Sequence, residues 1–144
     1  MPVKPIPDGY RTVTPYLTIA DAAQQIEFVQ QAFGAELKER VAGPDGVISH
    51  AEVKIGDSMV MIGQARDEWK PMPSSIYLYV EDCDATYQQA LKAGATSLME
   101  PVNQFYGDRG AGVIDQNGNY WFIGTHVEDV APEELQRRAA AQGK

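Results

Sequence analysis

Two residues in the stretch GVISHAEVKIG have the chemistry to move a proton. His50 and Glu52 are two positions apart, and on an extended chain that spacing puts both side chains on one face. An imidazole beside a carboxylate serves as a general base or as a hydrogen-bond anchor. It serves equally as an internal pair within a sheet wall. The two could form half of a metal site, but no third ligand stands near them in the sequence. Arg109, in YGDRG, could hold a ligand carboxylate or phosphate, or form an ion pair with Asp108 or Asp115. His126 ends the aromatic run NYWFIGTH and reads as a rim residue. Cys83 is the single cysteine, so the chain has no intrachain disulfide and no cysteine-based zinc site. Its place before a helix suits a capping or packing residue. No Ser–His–Asp set, phosphate loop or dinucleotide fingerprint occurs.

These residues must be positioned by a chain of 144 residues with a net charge of −8, 44% hydrophobic and 22% charged. That is the composition of a globular protein long enough for one domain, with room for two similar halves. The negative charge argues against nucleic acid and against an anionic membrane surface as partners. No apolar run approaches the roughly 20 residues of a membrane span. MPVKPIPDGY lacks the apolar core of a signal peptide, so a cytoplasmic location is expected.

The chain repeats itself. TPYLTIADAAQQIEFVQQAFGAEL begins at Thr14 and SIYLYVEDCDATYQQALKAGATSL at Ser75, an offset of 61. Each reads as a strand, an acidic turn, an amphipathic helix, a glycine stop and a second strand. Asp21 and Asp82 fall at the helix starts, where a carboxylate accepts unpaired N–H groups. Gly34 and Gly94 fall at the stops, where a left-handed residue is needed. GDSMVMIGQ (56–64) and NGNYWFIGT (117–125) match at the same offset. Both open with hairpin-turn chemistry.

Each half is therefore strand–helix–strand–strand–strand. Strands are expected near 12–19, 36–43, 47–55 and 58–64, then 74–80, 96–102, 108–114 and 119–126. Helices are expected near 21–33, 82–93 and 132–141. The chain is then one domain over 1–144, with a first module at about 10–65, a linker at 66–73 and a second module at about 74–126. The C-terminal helix has Pro at its start and acids in its first turn.

Each long helix carries an apolar stripe: Ala22, Ile26, Val29 and Phe33 in the first, Ala85, Ala90 and Leu91 in the second. The stripes must cover one face of the sheet. Alternation then puts Tyr16, Thr18, His50, Glu52, Met61, Tyr77, Tyr79, Arg109, Ala111, Val113, Tyr120 and Phe122 on the other face. A face so rich in aromatic side chains is a pocket wall, a subunit interface, or both.

The paired modules resemble the vicinal oxygen chelate superfamily, which includes glyoxalase I, extradiol dioxygenases, fosfomycin-resistance enzymes and bleomycin-binding proteins. VTPYLTIADAAQQIEFVQQAFGAE, GVISHAEVKIGDSMVMIG, IYLYVEDCDATYQQALKAGA and QFYGDRGAGVIDQNGNYWFIGTHVEDV are similar to its PhnB-like, glyoxalase-like branch. The likeness covers roughly residues 10–135. It implies an α+β fold of two βαβββ modules forming a curved mixed sheet around a cleft, helices on the outer face, often completed in a homodimer. In catalytic members it implies a divalent metal, held at positions that fall here on about Thr14, Met61, Ser75 and Phe122. Thioether, phenyl and hydroxyl side chains are not a ligand set for such an ion, so no metal and no other cofactor is expected. The branch often shows His where Asn119 stands; here the turn reads DQNGN.

The expectation is a metal-independent small-molecule binding protein. It would hold an apolar or aromatic ligand against Tyr16, Met61, Tyr77, Tyr79, Tyr120 and Phe122, with His50, Glu52 and Arg109 as anchors. The alternative is a glyoxalase-like lyase or isomerase with His50 or Glu52 as general base, with or without a divalent metal. A third reading is a dimeric scaffold without a ligand.

Overall fold

The computed structural model describes residues 2–143. The first half builds β1 (Tyr16–Ile19), α1 (Ala22–Phe33), β2 (Glu36–Ala42), β3 (Ile48–Ile55) and β4 (Ser58–Gln64). The second builds β5 (Ser75–Tyr79), α2 (Cys83–Lys92), β6 (Thr96–Asn103), β7 (Asp108–Ile114) and β8 (Tyr120–His126), and α3 (Pro132–Gln142) follows. The helices start where their caps place them. Asp21 accepts from the Gln24 N–H and Asp82 from the Ala85 N–H, both at 3.1 Å. Gly34 ends α1 at φ 67°, a conformation glycine adopts without steric cost.

The strands form two four-stranded sheets, ordered β1-β4-β3-β2 and β5-β8-β7-β6. In each, the first strand runs parallel to the last and the other pairs are antiparallel. The fold is thus α+β, built from two βαβββ modules. Leu17, Ile19, Ala51, Val53 and Ile62 from the first sheet, and Ala111, Val113, Trp121 and Ile123 from the second, belong to one buried cluster with α1 and α2. Phe33 of α1 packs on Trp121 of β8, ring centroids 4.9 Å apart. The helix-covered faces of the two sheets therefore share a core, and the opposite faces point outward.

A buried carboxylate joins the modules. Asp115 accepts from the backbone N–H groups of Asn117 and Asn119, both at 2.9 Å, which shapes the β7–β8 turn. It also accepts from Trp121 Nε1 at 2.8 Å and from Gln25 Nε2 of α1 at 2.9 Å. Asn119, fully buried, donates to Gln25 Oε1 at 3.0 Å. Asn117 accepts from the Asp21 N–H at 3.1 Å. The DQNGN turn is thus the bolt between the modules.

Three local expectations need correction. The first strand begins at Tyr16 rather than near residue 12, because Pro15 interrupts it and Val13 is exposed. In α2, Ala85 is exposed and the buried side chains are Cys83, Tyr87 and Ala90. In β7, Ala111 and Val113 are in the core, so Arg109 shares the helix side and Asp108, Gly110 and Gly112 take the outward face. The cause is a longer turn. Ala51 pairs with Ile62 in the first module, whereas Ala111 pairs with Ile123 in the second, one extra residue in the connection. A one-residue slip exchanges the two faces of a strand.

Removing the Asp115 carboxylate leaves several buried donors without an acceptor. Asp115→Ala is expected to lower the unfolding free energy by roughly 3 kcal/mol, measured by urea denaturation, with a smaller loss for Gln25→Ala.

Candidate functional site

The outward face of the first sheet gathers Tyr16, Thr18, His50, Glu52 and Met61. Tyr16 stands opposite Met61, which stands opposite Glu52. Thr18 and His50 flank Gly63 in the same way. His50 Nε2 lies 3.0 Å from Glu52 Oε2, and the Tyr16 and His50 ring centroids are 5.9 Å apart. The Tyr16 ring lies over Gly63, where an added Cβ would come within 2.5 Å of the phenol oxygen. No other residue fits beneath that ring unless the ring moves.

The linker contributes to this face. The Arg66 N–H donates to the Trp69 carbonyl and the Trp69 N–H to the Arg66 carbonyl, each at 2.9 Å. That reciprocal pair closes a tight turn and sets the two residues side by side. The Met72 N–H bonds the Thr18 carbonyl at 2.9 Å and fastens the linker along the edge of β1. Tyr16, Thr18, Ser49, Arg66 and Trp69 then line a hollow of about 340 Å³. Read as a connection alone, ARDEWKPMP offers no pattern that marks Arg66 and Trp69 as wall residues.

The second sheet repeats the design with different polar groups. Tyr77 lies over Gly124, where a Cβ would meet its hydroxyl. Tyr77 and Tyr79 stack with centroids 5.0 Å apart, and Tyr120 and Phe122 sit at 6.3 Å, edge to face. Asp108, only 2% exposed, accepts from both tyrosine hydroxyls, at 2.7 and 2.8 Å. His126 Nδ1 is 2.9 Å from its other oxygen, and Nε2 is 2.7 Å from Asp129. Burial raises the Tyr77 hydroxyl well above the ordinary tyrosine range, and the bond to Asp108 adds to it. Burial also pushes the Asp108 carboxyl up, but bonds from His126, Tyr77 and Tyr79 outweigh it and hold the group low. The bond to Asp108, then that to Asp129, raises His126. Asp108 was hidden in the sequence by the β7 slip.

The remaining candidates lie elsewhere. Arg109 clasps Asp84 on α2 through Nε at 2.6 Å and Nη2 at 2.9 Å, and bonds Asn103 at 3.1 Å. It pairs with neither Asp108 nor Asp115 and does not join the aromatic face. Cys83 is buried with its thiol toward the Ile123 carbonyl at 3.3 Å, and burial pushes the thiol up. A groove of about 850 Å³ runs between the modules along the edge of β5, walled by Phe33, Met59, Ile76 and Leu78 and also by Tyr77 and Tyr79 of the second outward face. It holds none of the His50, Glu52 or Asp108 groups.

The geometry does not suit the metal that the resemblance implies. Among the described residues no three His, Cys, Asp or Glu side chains converge to hold an ion. Tyr16 pairs with Met61 and Tyr77 with Phe122, so aromatic rings, a thioether and a phenyl group fill the sheet centres. His126 turns its two nitrogens to different carboxylates, an arrangement that hydrogen-bonds rather than chelates.

The paired modules and their outward faces match a known family. Residues 11–123 fit the model of the Glyoxalase/Bleomycin resistance protein/Dioxygenase superfamily. The chain belongs to that superfamily. A Mycobacterium tuberculosis protein, Rv0887c, is 37% identical over 142 residues, covering 91% of this chain and 84% of its own. A Mycobacterium bovis protein, Mb0911c, has the same identity, with 93% of its length covered. Among solved structures, TioX from Micromonospora sp. ML1 aligns with a TM-score of 0.67 at 21% identity, over 80% of this chain and 99% of that one. A PhnB protein from Bacillus cereus aligns at 0.64 and 16% identity, over 80% and 99%. At these identities the structures establish the shared fold. No helix of the described residues is long and apolar enough to cross a membrane.

His126 gives the face a measurable pH signature. Its folded-state pKa is raised, so its bonds to Asp108 and Asp129 contribute fully below the ordinary histidine value of about 6.5. That contribution is lost as pH rises through the raised value. Asp108 is held low, so its contribution is present above the ordinary carboxylate range and is lost as pH falls through the lowered value. An NMR titration is expected to place His126 above that ordinary histidine value, and the stability gap between wild type and His126→Ala is expected to close on the alkaline side.

Proposed function

We propose that this protein binds an apolar or aromatic small molecule on its outward sheet faces, without a metal, as a homodimer in which a second copy closes each cleft. One observation carries the reading: large aromatic side chains stand exposed on sheet faces beside a few fixed polar groups. Tyr16 is 53% exposed and Tyr79 67%. Rings held open in that way belong to a wall awaiting a ligand or a partner. The outer edge of β5 ends its sheet without a neighbouring strand, which leaves room for another subunit. The donor set argued above supports binding without a metal. Ligand sequestration is in keeping with a family that includes bleomycin resistance proteins.

The His50–Glu52 pair supports a second reading, a glyoxalase-like lyase or isomerase in which His50 or Glu52 takes a proton. Stoichiometric metal at that pair and loss of turnover in His50→Ala would bring it forward.

The test combines sedimentation equilibrium with displacement of a fluorescent apolar dye by flat aromatic compounds. The expected result is twice the chain mass and saturable displacement. Tyr77→Ala is expected to weaken displacement about tenfold, the cost of losing roughly 1.5 kcal/mol of buried ring. A monomer that binds no such compound would refute the proposal.

A further inference from the structure

The hollow against the first sheet contains a cation with no counter-charge. Arg109, Arg137 and Arg138 each clasp a carboxylate. Arg66 is exposed at the rim of the hollow and, among the described residues, forms no ion pair and no side-chain hydrogen bond. The nearest acidic neighbours in sequence, Asp67 and Glu68, occupy the exposed tip of its turn and do not pair with it. The carboxylate of Glu52 is turned to His50 and does not line the hollow.

The other walls are those of a site for a flat ring. Trp69 is held beside Arg66 by the reciprocal backbone bonds of the turn, yet its side chain is 64% exposed. Tyr16 lies flat on Gly63 across the floor. The Tyr16 hydroxyl and Thr18 Oγ1, both facing this hollow, have no hydrogen-bond partner among the described residues, and both can donate to an anion. About 340 Å³ is the size of a one- or two-ring molecule.

We infer that this hollow takes a planar anionic small molecule, an aromatic carboxylate, whose carboxylate pairs with Arg66 while its ring lies against Trp69 and Tyr16. This rests on the ligand-binding reading above and adds the charge of the ligand and the place where that charge is read. A guanidinium fork matches a carboxylate in plane and donates two parallel hydrogen bonds to it. The protein's overall negative charge disfavours anions at long range. The pairing acts at contact distance, where the local cation prevails over screened distant charges. The first face adds the unpaired Arg66 to its His50–Glu52 pair, whereas Arg109 of the second module is committed to Asp84 on the helix side, so the two faces are not interchangeable.

The test uses 2-naphthoate, its neutral isostere 2-naphthalenemethanol and the cation 2-naphthylmethylamine, each titrated into the full chain. Quenching of Trp69 reports binding, since Trp121 is fully buried; Trp69→Phe, followed by equilibrium dialysis, identifies the signal. Naphthoate is expected to bind at least tenfold tighter than the alcohol. Arg66→Met is expected to abolish that preference, with naphthoate weakened at least tenfold more than the alcohol, and Arg66→Lys to keep part of it. Far-UV circular dichroism checks that the variants fold. Equal binding of acid and alcohol, a preference for the amine, or an unchanged preference in Arg66→Met overturns the inference and leaves the ligand-binding reading standing. Binding of none of the three compounds overturns both.

Discussion

The carboxylate of Asp115 sets the relation between the two modules. A charged group that is 5% exposed is tolerable only when its oxygens are saturated with donors. Its donors come from two places: the β7–β8 turn and Trp121 on one side, Gln25 of α1 on the other. Satisfying the charge therefore requires α1 to lie against the second sheet. That brings Phe33 onto Trp121 and merges both helix-covered faces into one core. Because hydrophobic burial has no direction of its own, the polar bolt supplies the register that apolar packing leaves loose.

The outward faces follow from that choice. With α1 and α2 committed to the shared core, Tyr79, Tyr120 and the linker's Trp69 stay exposed among the described residues. The aromatic rings are nonetheless fixed. Glycine beneath Tyr16 and Tyr77 lets each ring lie flat on its sheet, and Asp108 ties down the hydroxyls of Tyr77 and Tyr79. A wall of rings held in place before any ligand arrives loses little conformational freedom on binding.

Much of this was readable from residue types. The duplication, the Asp caps at 21 and 82 and the alternation of β3, β4 and β8 rest on local chemistry, and local chemistry is what a sequence displays. The misplaced Arg109 shows the limit. An offset of 61 from β3 would put Arg109 on the outward face, but the extra turn residue makes the offset there 60. β7 is DRGAGVI, whose small residues on both faces give alternation little contrast. The same slip hid Asp108. Gln25 was missed because a polar residue in an apolar stripe looks like a solvent position until its partner, 90 residues away, is known. Arg66 and Trp69 were missed because their role depends on where a loop folds back, and loop paths are not periodic.

The corrected register exposes how the halves have parted. With the extra turn residue counted, His50 and Glu52 correspond to Gly110 and Gly112. Tyr16 and Gly63 still correspond to Tyr77 and Gly124. The ring-over-glycine element is thus common to both modules, and the polar groups differ. In the first module the imidazole and carboxylate rise from β3. In the second, β7 offers glycines, and the space goes to rings: a Cβ at Gly112 would come within 3.3 Å of Phe122. The carboxylate there enters instead from Asp108 at the start of the strand. A duplicated frame with symmetric floors and asymmetric polar groups suits a ligand with a flat body and chemically distinct ends. In the proposed binding role, the shared rings would lie against its flat body and the differing charges would set its orientation.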